Sequence, residues 1–422
     1  MAEESILTDE FLRQLIDVGE ADVLVGVPTY NNAATVGQVV QTIRAGLLKY
    51  FPRERAVIVN ADGGSRDQTP ELIRGASIND LQHSTDLNAL RTLHSISAEY
   101  AGGPATGTAL RTILASAELL RVSACAVISP ESTTIEPEWI ERLLRPVYQG
   151  NFDFVTPLYR RHKFDGLLMR NLIYPMTRAF YGKQVREPYA AEFSFSGQLA
   201  SYFLGQEIWT HEVGHTGTEI TLTISAITGG FRLAQSFLGV KTHVDARAAD
   251  LVDAMRQTVG ALFWSLEPNY SLWSARTESQ TIPTIATGEE VTLEPLRINR
   301  KRLFGMFRSG VAELEPVLKS ILSPPTLSEL QRISALDEDG FLYGDELWAR
   351  TVYEFAASYH KAVISRDHIV QALAPLYRGR AFTFLVENRE ASGEQVEQNV
   401  EDFCMTCERL KPSLVELWNG RK

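Results

Sequence analysis

Cysteine is scarce in this chain: Cys125, Cys404 and Cys407 are the three among 422 residues. An odd, low number excludes a disulfide framework and points to a reducing compartment. Cys404 and Cys407 have the C-x-x-C spacing of redox and zinc sites, but no second pair exists and the surrounding EDFCMTCERL reads as helix. They are therefore expected to be structural. Long apolar runs are missing as well, and without a stretch of about 18 apolar residues no membrane-spanning helix is expected. The opening MAEESILTDEFLRQL lacks the basic start and apolar core of a signal peptide, so the expected location is the cytoplasm. Positive charge is in deficit, with 41 Lys and Arg against 52 Asp and Glu and a net charge of −11. Nucleic acid is not an expected partner of such a chain, and an anionic ligand must be met by a local basic site. Neither the Rossmann G-x-G-x-x-G nor the Walker G-x-x-x-x-G-K-[ST] occurs.

What is present is an ordinary globular balance, 44% hydrophobic and 22% charged. At roughly 100–200 residues per domain, the length suggests two or three domains. ADVLVGVPTY, RAVIVNADGG, SACAVISPES and FDFVTPLYR read as buried strands that end in polar turns. Amphipathic helical stretches, among them TVGQVVQTIRAGLLKYF and TGTALRTILASAELLR, alternate with them. The first half therefore reads as α/β with a mainly parallel sheet. Ligands of such sheets lie off the carboxyl ends of the strands. The tips at 28–32, 60–65 and 129–132 should then converge on one crevice. After about residue 246 nearly every segment has helical periodicity. The expected organisation is an α/β domain over 1–250 and a helical domain over 251–422, with 277–296 as a polar linker.

Several residues at these tips can carry chemistry. Asp62 stands beside Gly63 and Gly64, as suits a ribose or base held close to the backbone, though a plain glycine turn has the same pattern. Glu131 is the one carboxylate of the 129–132 tip, and a hard cation on a diphosphate needs such a ligand. His243 follows the strand-like FRLAQSFLGV and could be a second ligand or a simple surface histidine. Arg160, Arg161 and Lys163 form a basic cluster suited to a carboxylate or phosphate. Glu219 opens the helix EITLTISAIT, either as a first-turn acid or as a site carboxylate.

The order of these parts resembles the GT-A nucleotide-sugar glycosyltransferases: V-P-T-Y-N-N, then N-A-D-G-G-S-R-D-Q-T, a strand with a carboxylate tip, and E-P-E-W-I. E-P-Y-A-A-E, G-H-T-G-T-E and L-G-V-K-T-H narrow it to a likeness with the retaining mannosylglycerate synthase and glucosyl-3-phosphoglycerate synthase families. Gly344-Asp345-Glu346-Leu347-Trp348-Ala349 is similar to a helix start in the C-terminal region of the former. The resemblance implies a GT-A fold with a C-terminal helical region. It implies that Pro28, Tyr30, Asn32, Asp62, Ser65 and Ser129 bind the donor. Glu131 and His243 would hold a divalent cation, Mg²⁺ or Mn²⁺. Glu192 and Glu219 would be catalytic, facing the sugar and the acceptor, with Arg161, Glu192 and Thr218 on the acceptor. The chain departs from the family pattern at Ser129, where the first Asp of D-x-D is usual, in the loop AGGPATGTALR, which lacks a G-K-G lysine, and at Ala190-Ala191 in place of Gly-Gly.

The expected activity is retaining, metal-dependent transfer of glucose or mannose to a small acidic acceptor such as glycerate or 3-phosphoglycerate. UDP-glucose, GDP-mannose and GDP-glucose are the candidate donors. The helical region is a candidate homodimer surface. One alternative is an inverting GT-A enzyme acting on a polyprenyl phosphate or polysaccharide. The other is a GT-A scaffold kept only for binding, with Ser129 marking the loss of catalysis.

Overall fold

The computed structural model describes residues 7–75, 78–79, 92–100, 106–211, 217–241, 251–286 and 298–420. They form two compact units, each assembled from separate stretches of the chain. The first unit comprises Met1–Arg160, Ala190–Val244 and Ile282–Glu290, and the second Arg161–Tyr189, Asp245–Thr281 and Val291–Lys422.

The described residues of the first unit are built on one sheet of nine strands: β1 (Val23–Thr29), β2 (Ala56–Asp62), β3 (Ile78–Asn79), β4 (Thr92–Glu99), β5 (Ala124–Val127), β6 (Phe154–Arg160), β7 (Phe193–Ser196), β8 (Leu233–Val240) and β9 (Thr284–Ile285). Their order across the sheet is β3-β4-β2-β1-β5-β7-β6-β8-β9. β3 runs antiparallel to β4, and β7 antiparallel to both β5 and β6, while the other neighbours are parallel. β2 is buried along its whole length, and β1 at every position but Pro28, because helices cover both faces of this part of the sheet. That explains their unbroken apolar runs.

The helices of this unit are α1 (Asp9–Val18), α2 (Ala33–Tyr50), α3 (Thr69–Arg74), α4 (Thr106–Leu119), α5 (Pro137–Tyr148), α6 (Gly197–Leu204) and α7 (Thr218–Thr228). Two glycines set how closely they approach. A Cβ on Gly26 of β1 would lie 2.5 Å from Ile113 of α4, and one on Gly46 of α2 would lie 2.6 Å from Ile140 of α5. Val36, Val39, Val40 and Ile43 of α2 and Trp139, Ile140, Leu143 and Leu144 of α5 form one core with the sheet. From β1 the chain order runs outward in opposite directions, to β2 on one side and β5 on the other. The carboxyl ends of β1 and β5 therefore open a crevice at this reversal.

The second unit is helical, and its longest helices are Asp345–Lys361, Arg366–Glu387 and Gly393–Trp418. It also takes in Arg161–Tyr189 from the first half of the sequence, so the units divide at more places than the single expected boundary at 250. Buried charge accounts for this. Arg178, 3% exposed, pairs with Glu401 at 2.7 Å and Glu408 at 2.8 Å, and both carboxylates lie on the C-terminal helix. Trp348 Nε1 donates to the Asn171 carbonyl at 2.7 Å. The expected linker over 277–296 is also corrected in part, because Thr284 and Ile285 pair with Gln235 and Ser236 of β8 as a parallel edge strand. Cys404 and Cys407 are buried free thiols inside the last helix, as their helical surroundings predict. No helix among the described residues is long and apolar enough to cross a membrane.

Candidate active site

A cleft of about 300 Å³ opens at the carboxyl ends of β1 and β5. Pro28, Tyr30 and Asn32 line one side, Ser129, Pro130 and Glu131 another, and Glu219 at the start of α7 a third. Tyr30 is 44% exposed at this wall. The β1 tip owes its shape to Asn31, whose φ of 54° is left-handed, a conformation that asparagine tolerates better than most residues. Two hydrogen bonds hold it there. Asn31 N donates to Ser65 Oγ at 2.8 Å, and Arg66 N donates to Asn31 Oδ1 at 2.8 Å. Asn32 then joins the two strand tips, its Nδ2 donating to Glu131 Oε1 at 3.3 Å.

Glu131 is exposed, and no cation pairs with it among the described residues. Glu219 is half-buried, and burial pushes its carboxyl up to about 7. No described cation pairs with it either, and its own backbone N–H offsets only part of that desolvation.

Two expected donor residues stand apart from this cleft. Asp62 and Ser65 line a second cavity of about 630 Å³, whose other walls include Phe11 and Gln14 of α1 and Glu99 of β4. Tyr100 borders both cavities. Asp62 is 3% exposed and accepts from Thr29 Oγ1 at 2.7 Å, Gly64 N at 3.1 Å, Ser65 N at 2.7 Å and Ser65 Oγ at 2.6 Å. Its carboxylate thus shapes its own turn, a recurrent use of aspartate at such positions.

The expected acceptor residues Arg161, Thr218 and Glu192 do not line this cleft. Arg161 belongs to the second unit, and its side chain is only 11% exposed. Its Nε donates to Glu187 Oε1 at 2.9 Å and its NH2 to Glu187 Oε2 at 3.2 Å, with Asp165 at 3.5 Å. The fork that would read an acid is already filled by a carboxylate of its own unit. Thr218 is fully buried at the first turn of α7, while its neighbour Glu219 reaches the cleft.

Glu192 is fully buried too. Ala191 and Phe193 on either side of it line the cleft, and Glu192 does not. It accepts from Ser132 Oγ in a short hydrogen bond, from Tyr159 OH at 2.6 Å and from Lys241 Nζ at 2.6 Å. Burial alone would raise its carboxyl. The Lys241 ammonium and the two hydroxyl donors outweigh burial and hold it below the usual carboxylate range.

Ser132, Tyr159 and Lys241 were not expected as partners of this carboxylate. The one signal for them is general: a glutamate that cannot reach water needs a cation and donors. His243, the second expected metal ligand, lies outside the described residues. Among the described residues no group of three or more His, Cys, Asp and Glu side chains is placed to hold a metal.

Comparison with known proteins gives structural likenesses alone. No model of a known protein family matches the chain, and no curated protein does. Among solved structures it is similar to glucosyl-3-phosphoglycerate synthase from Mycobacterium tuberculosis. In complex with Mn²⁺, UDP and glucosyl-3-phosphoglycerate, that protein is 18% identical, with 63% of this chain and 85% of that chain covered and a TM-score of 0.42. Its complex with phosphoglyceric acid is 19% identical, with the same coverage and a TM-score of 0.43. Its complex with Mg²⁺ and UDP is 18% identical over 63% of this chain and 84% of that one, with a TM-score of 0.43.

Proposed function

We propose that the chain is a GT-A-type glycosyltransferase that binds a nucleoside diphosphate sugar at the cleft and transfers its hexose to a small acidic acceptor. The observation that carries this reading is the meeting of the β1 and β5 tips, joined through Asn32 and Glu131, at the strand reversal of a parallel sheet. The motifs that resemble GT-A enzymes supply Pro28, Tyr30, Asn32, Ser129, Glu131 and Glu219, all of which line this one cleft. Tyr30 presents its ring at the donor wall. Glucose or mannose as the sugar, retention at the anomeric carbon, and glycerate or 3-phosphoglycerate as acceptor follow from the narrower sequence likeness.

A divalent cation suits the donor set. The Glu131 carboxylate and Ser129 hydroxyl are hard oxygen donors at the cleft, of the kind Mg²⁺ and Mn²⁺ select, and the diphosphate itself would complete the shell. Glu131 would hold the ion, with His243 as the further ligand that the resemblance implies. Bound there, the ion would neutralise the departing nucleoside diphosphate. Glu219, with a carboxyl near neutrality in a desolvated wall, is suited to hold or release a proton beside the sugar.

The test is a donor screen. UDP-glucose, GDP-glucose and GDP-mannose are each incubated with Mn²⁺ or EDTA, and with glycerate or 3-phosphoglycerate, while nucleotide release is followed. Cation-dependent release that requires an acidic acceptor is the expected result, and NMR of the product's anomeric proton reports retention or inversion. Nucleotide binding without turnover in every combination would favour a binding scaffold instead.

A further inference from the structure

We infer that Glu192 is a positioning residue of the cleft, which acts through Ser132 and Lys241 and does not touch the substrate. The inference rests on the glycosyltransferase reading of the cleft and assigns this carboxylate a part in it.

The geometry is that of a clamp. Three donors reach one carboxylate from separate segments: Ser132 in the tip after β5, Tyr159 at the end of β6 and Lys241 just beyond β8. They are 60, 33 and 49 residues away in sequence. Ser132 directly follows Glu131, and Lys241 stands two residues before His243. The carboxylate thus ties the tip that carries Glu131 to the end of β8. The tip is otherwise a tight turn, with Ser132 N donating to the Ser129 carbonyl at 3.2 Å and Thr133 N to the Glu131 carbonyl at 2.8 Å. Glu131 is exposed in it, whereas Ser132 is 4% exposed and roots it in the interior.

Packing completes the clamp. The Lys241 ammonium lies 4.9 Å from the centre of the Tyr159 ring, which rests against Trp139 at 5.7 Å. Lys241 and Tyr159 thus pack on each other around Glu192, and the flanking Ala191 and Phe193 line the cleft where Glu192 does not. A ligand that loses its supporting hydrogen bonds typically costs a metal site about 10–100-fold in affinity or activity.

The test uses the full chain with Glu192→Gln, Lys241→Met, the double variant and Ser132→Ala. Amide hydrogen exchange at 131–133, Mn²⁺ affinity by calorimetry, and the kcat and KM of nucleotide release are followed. Glu192→Gln leaves the Lys241 ammonium unpaired. It should speed exchange at the tip, weaken Mn²⁺ about 10-fold and lower kcat about 10–100-fold, with donor KM within about 3-fold. The double variant removes both charges and keeps an amide oxygen to accept from Ser132, while the amide NH2 can donate to the Tyr159 hydroxyl, so it should recover to within about 3-fold of wild type.

A folded double variant as inactive as Glu192→Gln, with the exchange rates of the tip restored, would overturn the inference and give Glu192 a chemical role. Wild-type exchange in Glu192→Gln would overturn it equally. If the charge variants do not fold, Ser132→Ala cuts only the tether, and wild-type exchange and Mn²⁺ affinity there would sink the proposal. Hydrogen exchange needs no substrate. Absence of turnover by the wild type would therefore count against the glycosyltransferase reading alone.

Discussion

The guanidinium of Arg161 and the carboxylate of Glu187 meet in a two-point pair, Nε to Oε1 at 2.9 Å and NH2 to Oε2 at 3.2 Å, with both side chains almost out of water. Breaking a pair of this kind leaves a buried charge uncompensated, at a cost of about 3–5 kcal/mol. Arg161→Ala and Glu187→Ala should each destabilise the chain by about 3 kcal/mol in urea unfolding. Arg161→Met with Glu187→Leu should recover most of that loss. Additive losses in the double variant would show that the two side chains do not act as a pair.

Glu219 should make stability depend on pH. Its carboxyl rises from an ordinary 4.5 to about 7 on folding, because burial disfavours its charge. Below pH 4.5 folded and unfolded chains both hold the proton, and burial of the charge costs nothing. Between 4.5 and 7 the unfolded chain loses its proton first, so stability declines as pH rises, and the penalty is complete above 7. Because the side chain is only half-buried, Glu219→Gln should gain about 1–3 kcal/mol relative to wild type between pH 5 and pH 8. Parallel stability curves for the two proteins would contradict a raised carboxyl.

The cation should depend on Glu131. This side chain is exposed, so Glu131→Ala should change stability by less than about 0.5 kcal/mol. Nucleotide release with Mn²⁺ should fall more than about 100-fold, beyond the usual effect of removing a mere supporting residue. Ser129→Asp adds a second hard ligand and should tighten Mn²⁺ in titration. Weaker binding by Ser129→Asp would place the ion away from this tip.

All three cysteines should be silent to a thiol reagent in the native state. Each is buried, and burial raises the Cys404 thiol to about 12 and the other two well above their ordinary value. Thiolate is the reactive form, and at neutral pH almost none is present. Ellman's reagent should detect three thiols in guanidinium and none in buffer. Rapid native labelling of Cys404 or Cys407 would reopen a redox role for the C-x-x-C spacing.

The parts of the fold legible in the sequence were those coded locally. β1, β2, β5 and β6 are apolar runs closed by polar turns, and α2, α4 and α5 carry clear helical stripes. β7 was not legible, because FSFS alternates like a surface strand and yet lies between two strands with Ser194 fully buried, its hydroxyl satisfied by the Leu143 carbonyl at 2.7 Å. β9 is two residues of a polar stretch and is defined only by its pairing with β8.

The site divides in the same way. Pro28, Tyr30, Asn32, Ser129 and Glu131 follow directly from strand ends and do line one cleft. Whether a charged side chain is free for a ligand depends on partners distant in sequence. Arg161 is taken by a glutamate 26 residues on, and Glu192 by a lysine 49 residues on. Local pattern carries no trace of either pairing.

The interleaving of the two units bears on how the chain is made and cut. The sheet is not complete until Thr284 and Ile285 have joined β8, and Arg178 in the first half finds its carboxylates only at Glu401 and Glu408. During synthesis the first unit therefore emerges with an unfinished sheet edge, and 161–189 waits for the last helix before its buried charge is neutralised. A fragment ended at residue 250 would lack β9 and strand Arg178 without its partners. Neither unit can be obtained by a single cut, and deleting the last helix should leave Arg178 of the second unit without its carboxylates.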